Sequence, residues 1–448
     1  MIDKVEKDFG LFSHVFEGIE GQATDFIPQV QFHVYNNLSH SVSVNQLHQT
    51  YPPEAMHRLG MKQVPSKRTL YRTLERIGKY FPVILERFQD FIAIHGLADD
   101  RQVIDFSSSY VEGDQLSLAQ YGYSRDRRPD KKQITYGIAT GINGIPTALT
   151  IQKGNTQDKK HMRMMLTVVD IVIPSNAVLI FDAGADTRQN RATIRRMGYH
   201  FLTLKAKRVS TYKQHLQYFT MHIDDVHQCE IHDTPYYCVK KRDGDTIQYI
   251  FFSPQLYADQ IAIKERKFER AIEKGNALLR KRKWQRFPSD KGWVELIPQL
   301  QTTLSSPDNP YINGLEGFFI LESSIDADPE HILRLYKHRD KAEKFFRDLK
   351  EGVELRPIRH WNTWSVIGIV FVCFLTNFLI NLTALLSENP SVRNAKLLKK
   401  YLLNLTLTVV YPPGGFRFHV LSNVSAAILS LFGDFVWKYR DKSLALRW

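Results

Sequence analysis

Residues 365–386 constrain the fold of this chain more than any other stretch. They run from Ser365 through Phe371, Phe374 and Phe378 to Leu386 without one charged side chain. Roughly 22 such residues are long enough to span a bilayer, which asks for about 20. They are equally what a helix enclosed by a large domain looks like. The stretch also holds Thr376, Asn377, Asn381 and Thr383, whose polar groups are costly in lipid and easily satisfied by neighbouring backbone in packed protein. A buried core helix is therefore expected, with no membrane association.

The rest of the composition fits a protein able to enclose it. The chain has 448 residues, 43% of them apolar and 24% charged, an ordinary globular balance with room for two to four domains on the usual length prior. Sixty Lys and Arg against 47 Asp and Glu give a net charge of +13, which suggests a polyanionic partner, nucleic acid first and an anionic membrane surface second. The cysteines Cys229, Cys238 and Cys373 are odd in number and give no disulfide framework, as expected in a reducing compartment. No charged leader precedes an apolar stretch at the start of the chain, so no export is expected. A Walker-type phosphate loop and a Ser-His-Asp or Cys-His constellation are both missing from the sequence, which leaves ATP use and acyl transfer without support.

Hydrophobic periodicity divides the chain into four parts. Residues 1–100 read as helical and as a DNA-binding domain, with residues 43–77 resembling a helix-turn-helix. Ser66 is placed to cap a helix with Leu70, Leu74 and Ile77 on one face and Lys67, Arg68, Arg72 and Arg76 on another. The cationic face suits a DNA groove, and a small bundle with a basic surface is the alternative. Residues 101–207 read as the first part of a catalytic core. Strands at 102–111, 133–140 and 145–152, the last two joined at Asn143-Gly144, precede a helix at 158–172, a strand at 177–181, a helix at 187–197 and a strand at 201–205. That order is α/β, and the ribonuclease-H-like mixed-sheet core has it. Residues 208–315 read as a β-rich insertion domain, and residues 316–448 return to the core and its C-terminal helices.

Three carboxylates stand where a structural role is hard to find. Asp105 sits inside the strand Val103-Ile104-Asp105-Phe106, and Asp182 ends the strand before Ala183-Gly184. Both are costly there unless paired, hydrogen-bonded or bound to metal. The third, Glu343, belongs to a Y-x2-R-x3-E-x6-K pattern of Tyr336, Arg339, Glu343 and Lys350. On one continuous helix these four would share a stripe within about 60°, with Arg347 also presented nearby, while Ala342, Phe345, Phe346 and Leu349 faced the core. A solvated face laced with salt bridges would carry the same residues. Asp105, Asp182 and Glu343 together make a hard oxygen ligand set for two Mg²⁺ or Mn²⁺ ions, suited to in-line displacement at phosphorus.

Two further clusters are weaker. Arg280, Arg282, Lys283 and Trp284 combine charge with an aromatic, as a nucleic-acid contact would, though a packed Trp at a basic helix end explains them equally. His227, Cys229, His232 and Cys238 match no common zinc spacing and are accounted for by alternating strand positions.

Asp105, Asp182-Ala183-Gly184, residues 198–205 and the Tyr336, Arg339, Glu343 and Lys350 signature, in that order, resemble the DDE transposases of the insertion-sequence-four superfamily. Residues 121–130 and Gly154-Asn155-Thr156 are also similar. The resemblance covers roughly residues 100–390 and implies a ribonuclease-H-like core, a β-rich insertion and two divalent metals. It implies that Asp105, Asp182 and Glu343 are catalytic and that Tyr336, Arg339 and Lys350 position DNA phosphates. Cut-and-paste DNA transposition follows as the expected function, with double-stranded terminal inverted repeats and target DNA as partners. A homodimer in the synaptic complex and a cytoplasmic, nucleoid-associated place in a prokaryotic cell are expected with it. A structure-specific nuclease on the same fold and a non-catalytic DNA-binding derivative are the alternatives.

Overall fold

The computed structural model describes the chain except residues 20–24, 52–55, 57, 58, 114, 274–308, 310, 388–394, 411, 412, 414–417, 431, 432 and 434–448. Among the described residues six helices come first: α1 (Ile2–Phe9), α2 (Leu11–Phe16), α3 (Phe26–Leu38), α4 (Val44–Thr50), α5 (Lys67–Lys79) and α6 (Phe81–Ile94). Strands β1 (Arg101–Tyr110), β2 (Gln133–Gly141) and β3 (Pro146–Lys153) lead to α7 (Asp158–Val169), β4 (Val178–Phe181), α8 (Arg188–Arg196) and β5 (His200–Leu204). Then come α9 (Val209–Met221), β6 (His227–Ile231), β7 (Thr234–Asp243), β8 (Thr246–Phe252), α10 (Pro254–Glu273) and β9 (Phe318–Ser323). The remaining elements are α11 (Pro329–Lys337), α12 (Asp340–Arg347), α13 (Thr363–Ser387), α14 (Ala395–Asn404) and the hairpin of β10 (Thr406–Val410) and β11 (Phe418–Ser422). Three antiparallel strands, a helix, then a parallel β4-α8-β5 unit is the chain order of a ribonuclease-H-like α/β core.

The chain forms two compact units in place of the expected four parts. One comprises residues 1–174 and 340–448, the other residues 175–339.

In the first unit α13 is the central helix, and the N-terminal helices are its covering. It packs on α3, α5 and α6 and on β3. Phe371 meets Phe16 of α2, and Phe88 of α6 meets both Phe374 and Phe378 edge-on with ring centroids 5.3 and 5.0 Å apart. The approach to α5 is close because glycine stands on both sides. A Cβ on Gly78 would collide with the Trp364 carbonyl, and one on Gly368 with the Leu74 carbonyl. Thr376, Asn377, Asn381 and Thr383 of the apolar run all have partners. Thr376 and Thr383 donate to their own helix at Val372 and Leu379, Asn377 and Asn381 are bonded as described below, and Asn37 of α3 reaches Cys373 and Thr376 at 3.5 Å. The N-terminal helices thus share one compact unit with the long apolar helix, and their apolar faces cover each other.

The second unit holds a mixed sheet in the order β4-β5-β9-β8-β7-β6, parallel between β4 and β5 and antiparallel elsewhere. The described strands of the β-rich insertion are part of this sheet. β9 pairs with β5 on one edge and with β8 on the other, so that Ser323 faces both Leu202 and Ile247, and the inserted strands extend the sheet through it. In the outer hairpin His227 pairs with Cys238 and Cys229 with Tyr236. Both thiols are buried, and burial pushes that of Cys229 up to about 11 and raises that of Cys238 well above its ordinary value. Protonated thiols in a strand interior are poor metal ligands.

Candidate active site

Asp105 and Glu343 belong to the first unit. β1 is buried on either side of Asp105, with Ile104 and Phe106 in the core, while Asp105 itself is half-exposed. Its Oδ1 accepts from the Phe106 amide at 2.9 Å. Glu343 is exposed in the first turn of α12, whose Ala342, Phe345 and Phe346 point inward. α12 packs on β1 and β2. Phe346 rests on Tyr136 of β2 at 5.7 Å between ring centroids, and Phe345 on Phe374 of α13 at 5.8 Å. The helix bearing one carboxylate therefore sits on the strand bearing another.

Asp182, Tyr336 and Arg339 belong to the second unit, where they meet. Asp182 follows the last residue of β4, and its Oδ1 accepts from the Ala183 amide at 2.7 Å. The same oxygen pairs with Arg339 Nη1 at 3.0 Å. Arg339 Nη1 also donates to Tyr336 Oη at 3.2 Å, with the guanidinium lying 5.9 Å from the centre of the Tyr336 ring. One signature residue, Arg339, thus pairs with the second aspartate while a second, Tyr336, accepts from the same guanidinium nitrogen, a charge-assisted arrangement that orients the carboxylate.

The single continuous helix expected over residues 336–350 is corrected by the structure. α11 ends at Lys337, α12 begins at Asp340, and residues 348–352 form a π-helical turn in which the Val353 amide donates to the Asp348 carbonyl at 2.9 Å. A π turn adds a residue to the coil and rotates the succeeding residues by up to about 100°, the arc of one helical residue. Lys350 consequently leaves the stripe of Glu343 and points inward. Its side chain is 9% exposed and its Nζ bonds Asp126 Oδ1 at 2.8 Å, where Arg356 Nη1 also arrives at 3.0 Å. Burial lowers the Lys350 ammonium pKa, and the Asp126 carboxylate opposes that shift. Asp126 was not singled out by sequence reasoning, although residues 121–130 were. Among them Arg125 pairs with Asp158 at the start of α7, so the segment is tied down at two successive residues.

The remaining sequence-selected cations divide simply. Ser66 caps α5 by accepting from the Thr69 amide at 3.2 Å, and Leu70, Leu74 and Ile77 are buried. Lys67, Arg68 and Arg72 are exposed, while Arg76 lies over the Phe26 ring. Arg347 is exposed at the end of α12. Arg280, Arg282, Lys283 and Trp284 lie outside the described residues.

Residues 97–374 match the family model described as the transposase DDE domain. That stretch is more than half of the chain and contains all three carboxylates. The chain belongs to the DDE transposase family. Among solved structures, the piggyBac transposase synaptic complex with hairpin DNA aligns with a TM-score of 0.42 and 10% identity over 90% of this chain and 77% of that one. No curated protein matches. Among the described residues of this DDE transposase no three His, Cys, Asp or Glu side chains gather into a ready metal cluster. What α12 and β1 bring together are hard oxygen donors on rigid elements, a donor set that fits Mg²⁺ or Mn²⁺ better than a soft metal.

Proposed function

We propose that this chain is a cut-and-paste DNA transposase of the insertion-sequence-four type, cleaving at the ends of its element and joining the freed 3′-hydroxyls to target DNA. The observation that carries the reading is the chain of contacts from Tyr336 to Arg339 to Asp182, which links two signature residues to a carboxylate the family match includes. Asp105, Asp182 and Glu343 would hold two Mg²⁺ or Mn²⁺ ions. Bound there, the ions would activate the attacking water or 3′-hydroxyl and stabilise the leaving oxygen. Arg339 orients Asp182, and its guanidinium remains a positive charge for a neighbouring phosphate. Lys67, Arg68 and Arg72 on α5 offer a cationic face to duplex DNA, and the net charge of +13 supports DNA as partner. A homodimeric synaptic complex, acting at the nucleoid of a prokaryotic cell and away from membranes, belongs to the same proposal.

The test uses the purified full chain, Mg²⁺, and DNA carrying the inverted repeats that flank its gene. Nicking at the repeat ends and strand-transfer products in a target plasmid are expected. Asp105→Asn, Asp182→Asn and Glu343→Gln should each abolish both while leaving end binding largely intact, since a site that acts as a unit fails as a unit. Cleavage without joined products would instead mark a nuclease on this fold, and near-normal cleavage by one variant would remove that residue from the site.

A further inference from the structure

Asn377 is fully buried in the middle of α13, and its side chain makes a contact that packing alone does not require. Its Nδ2 donates at 3.2 Å to the backbone carbonyl of Phe345, two residues beyond Glu343 on α12. Its Oδ1 accepts from Asn381 Nδ2 at 3.0 Å, and the same Asn381 nitrogen donates to the Asn377 carbonyl at 2.9 Å. Asn381 therefore determines which way the Asn377 amide faces: with its oxygen engaged by a donor, its nitrogen is turned toward α12. The hydroxyls of Thr376 and Thr383 donate back within α13, and that of Thr376 also accepts from Asn37 of α3 at 3.5 Å, so neither reaches α12.

The place of this contact matters. Phe345 lies just before the π turn at residues 348–352, and a helix that changes its winding is easily shifted along its axis at that point. The aromatic contacts of Phe345 and Phe346 set how far α12 stands from its neighbours, but rings can slide over one another. A directional hydrogen bond from a rigid, enclosed helix fixes the remaining freedom. A buried amide costs free energy unless bonded, and a leucine would fill the space as well. Catalytic groups must be held to within about 0.5 Å.

We infer that the Asn381–Asn377 amide pair is a positioning device that sets the axial register of α12 on β1, and through it the placement of Glu343 with respect to Asp105. This rests on the reading of Glu343 as a catalytic carboxylate.

The test compares the full-length protein with Asn377→Leu and Asn381→Leu, with Thr383→Val as a control elsewhere on α13. Two readings are taken: amide hydrogen exchange of residues 343–353, and single-turnover end cleavage across a Mg²⁺ titration with end binding measured separately. Asn377→Leu should speed exchange in that segment, slow cleavage by about 10- to 100-fold and raise the Mg²⁺ concentration for half-maximal rate, with end affinity within about twofold of the parent. Asn381→Leu should do the same more weakly, and Thr383→Val should change neither reading. Parental exchange and parental Mg²⁺ requirement in Asn377→Leu would overturn the inference, as would an equal response from Thr383→Val, which would mean a general loss of stability. If Asn377→Leu does not fold, Asn381→Leu decides on the same two readings. Should the parent protein cleave no DNA, the proposed function falls, while the exchange comparison still decides whether the pair holds α12.

Discussion

Lys350 and Arg339 look alike in the sequence, two cations of one signature, and the structure gives them different work. Lys350 shares the buried Asp126 with Arg356. Lys350→Met should lower stability by about 3 kcal/mol, since removing one partner leaves a carboxylate short of charge in a dry site. The salt dependence of end binding should stay unchanged, and thermal melts with salt-titrated binding check both. Arg339 is a fork holding a phenol and a carboxylate together. Arg339→Lys keeps the charge but loses the planar geometry, so cleavage should fall at least about tenfold with little loss of stability. If Arg339→Ala also flattens the log-log salt slope of binding by about one, the guanidinium touches phosphate as well. The candidate carboxylates stand out in the sequence, because a carboxylate inside an apolar strand asks for an explanation. The direction of Lys350 does not, since one extra residue in a helical turn leaves no mark on composition.

Helices α5 and α13 illustrate what periodicity can and cannot tell at the scale of elements. The apolar face of α5, its Ser66 cap and the buried nature of residues 365–386 all follow from spacing and from polar groups that lipid would leave unsatisfied. That the two helices lie against each other does not follow from either pattern alone; it needs Gly78 and Gly368, whose missing side chains let the backbones touch. Gly368→Ala should therefore destabilise the protein by roughly 1–3 kcal/mol through overpacking, although alanine favours the helix itself. Chemical denaturation would show this as a lower midpoint at unchanged helical content. The break between α11 and α12 was missed for the opposite reason. Residues 336–350 keep helical periodicity across His338 and Arg339, so tertiary packing decides the interruption.

At the scale of the whole molecule, the two compact units redraw boundaries that sequence composition had placed elsewhere, because composition reports what a segment is made of and not which segment covers it. Burial also makes stability depend on pH. His33 and His161 are buried and neutral, held down to about 4 and about 3, in each case chiefly by burial. His161 has the Arg125 charge as a second cause, and for His33 the Leu70 carbonyl opposes the shift. Above pH 6.5 neither folded nor unfolded chain carries these protons, and the stabilisation is complete. Below it the unfolded chain takes them up first, so stability should fall by up to about 1.4 kcal/mol per pH unit for each histidine until the folded groups titrate. Urea midpoints should be flat from pH 7 to 8 and decline toward pH 4, less steeply in His161→Gln.

The enclosure of α13 also has a consequence in time. Leu74 and Gly368, which touch in the finished protein, leave the ribosome roughly 300 residues apart, about 15–60 s at ordinary elongation rates. Through that interval the N-terminal helices have oily sides that α13 has yet to cover, the kind of surface that invites aggregation. The helix that completes them, which also carries Asn377, is made only after that interval.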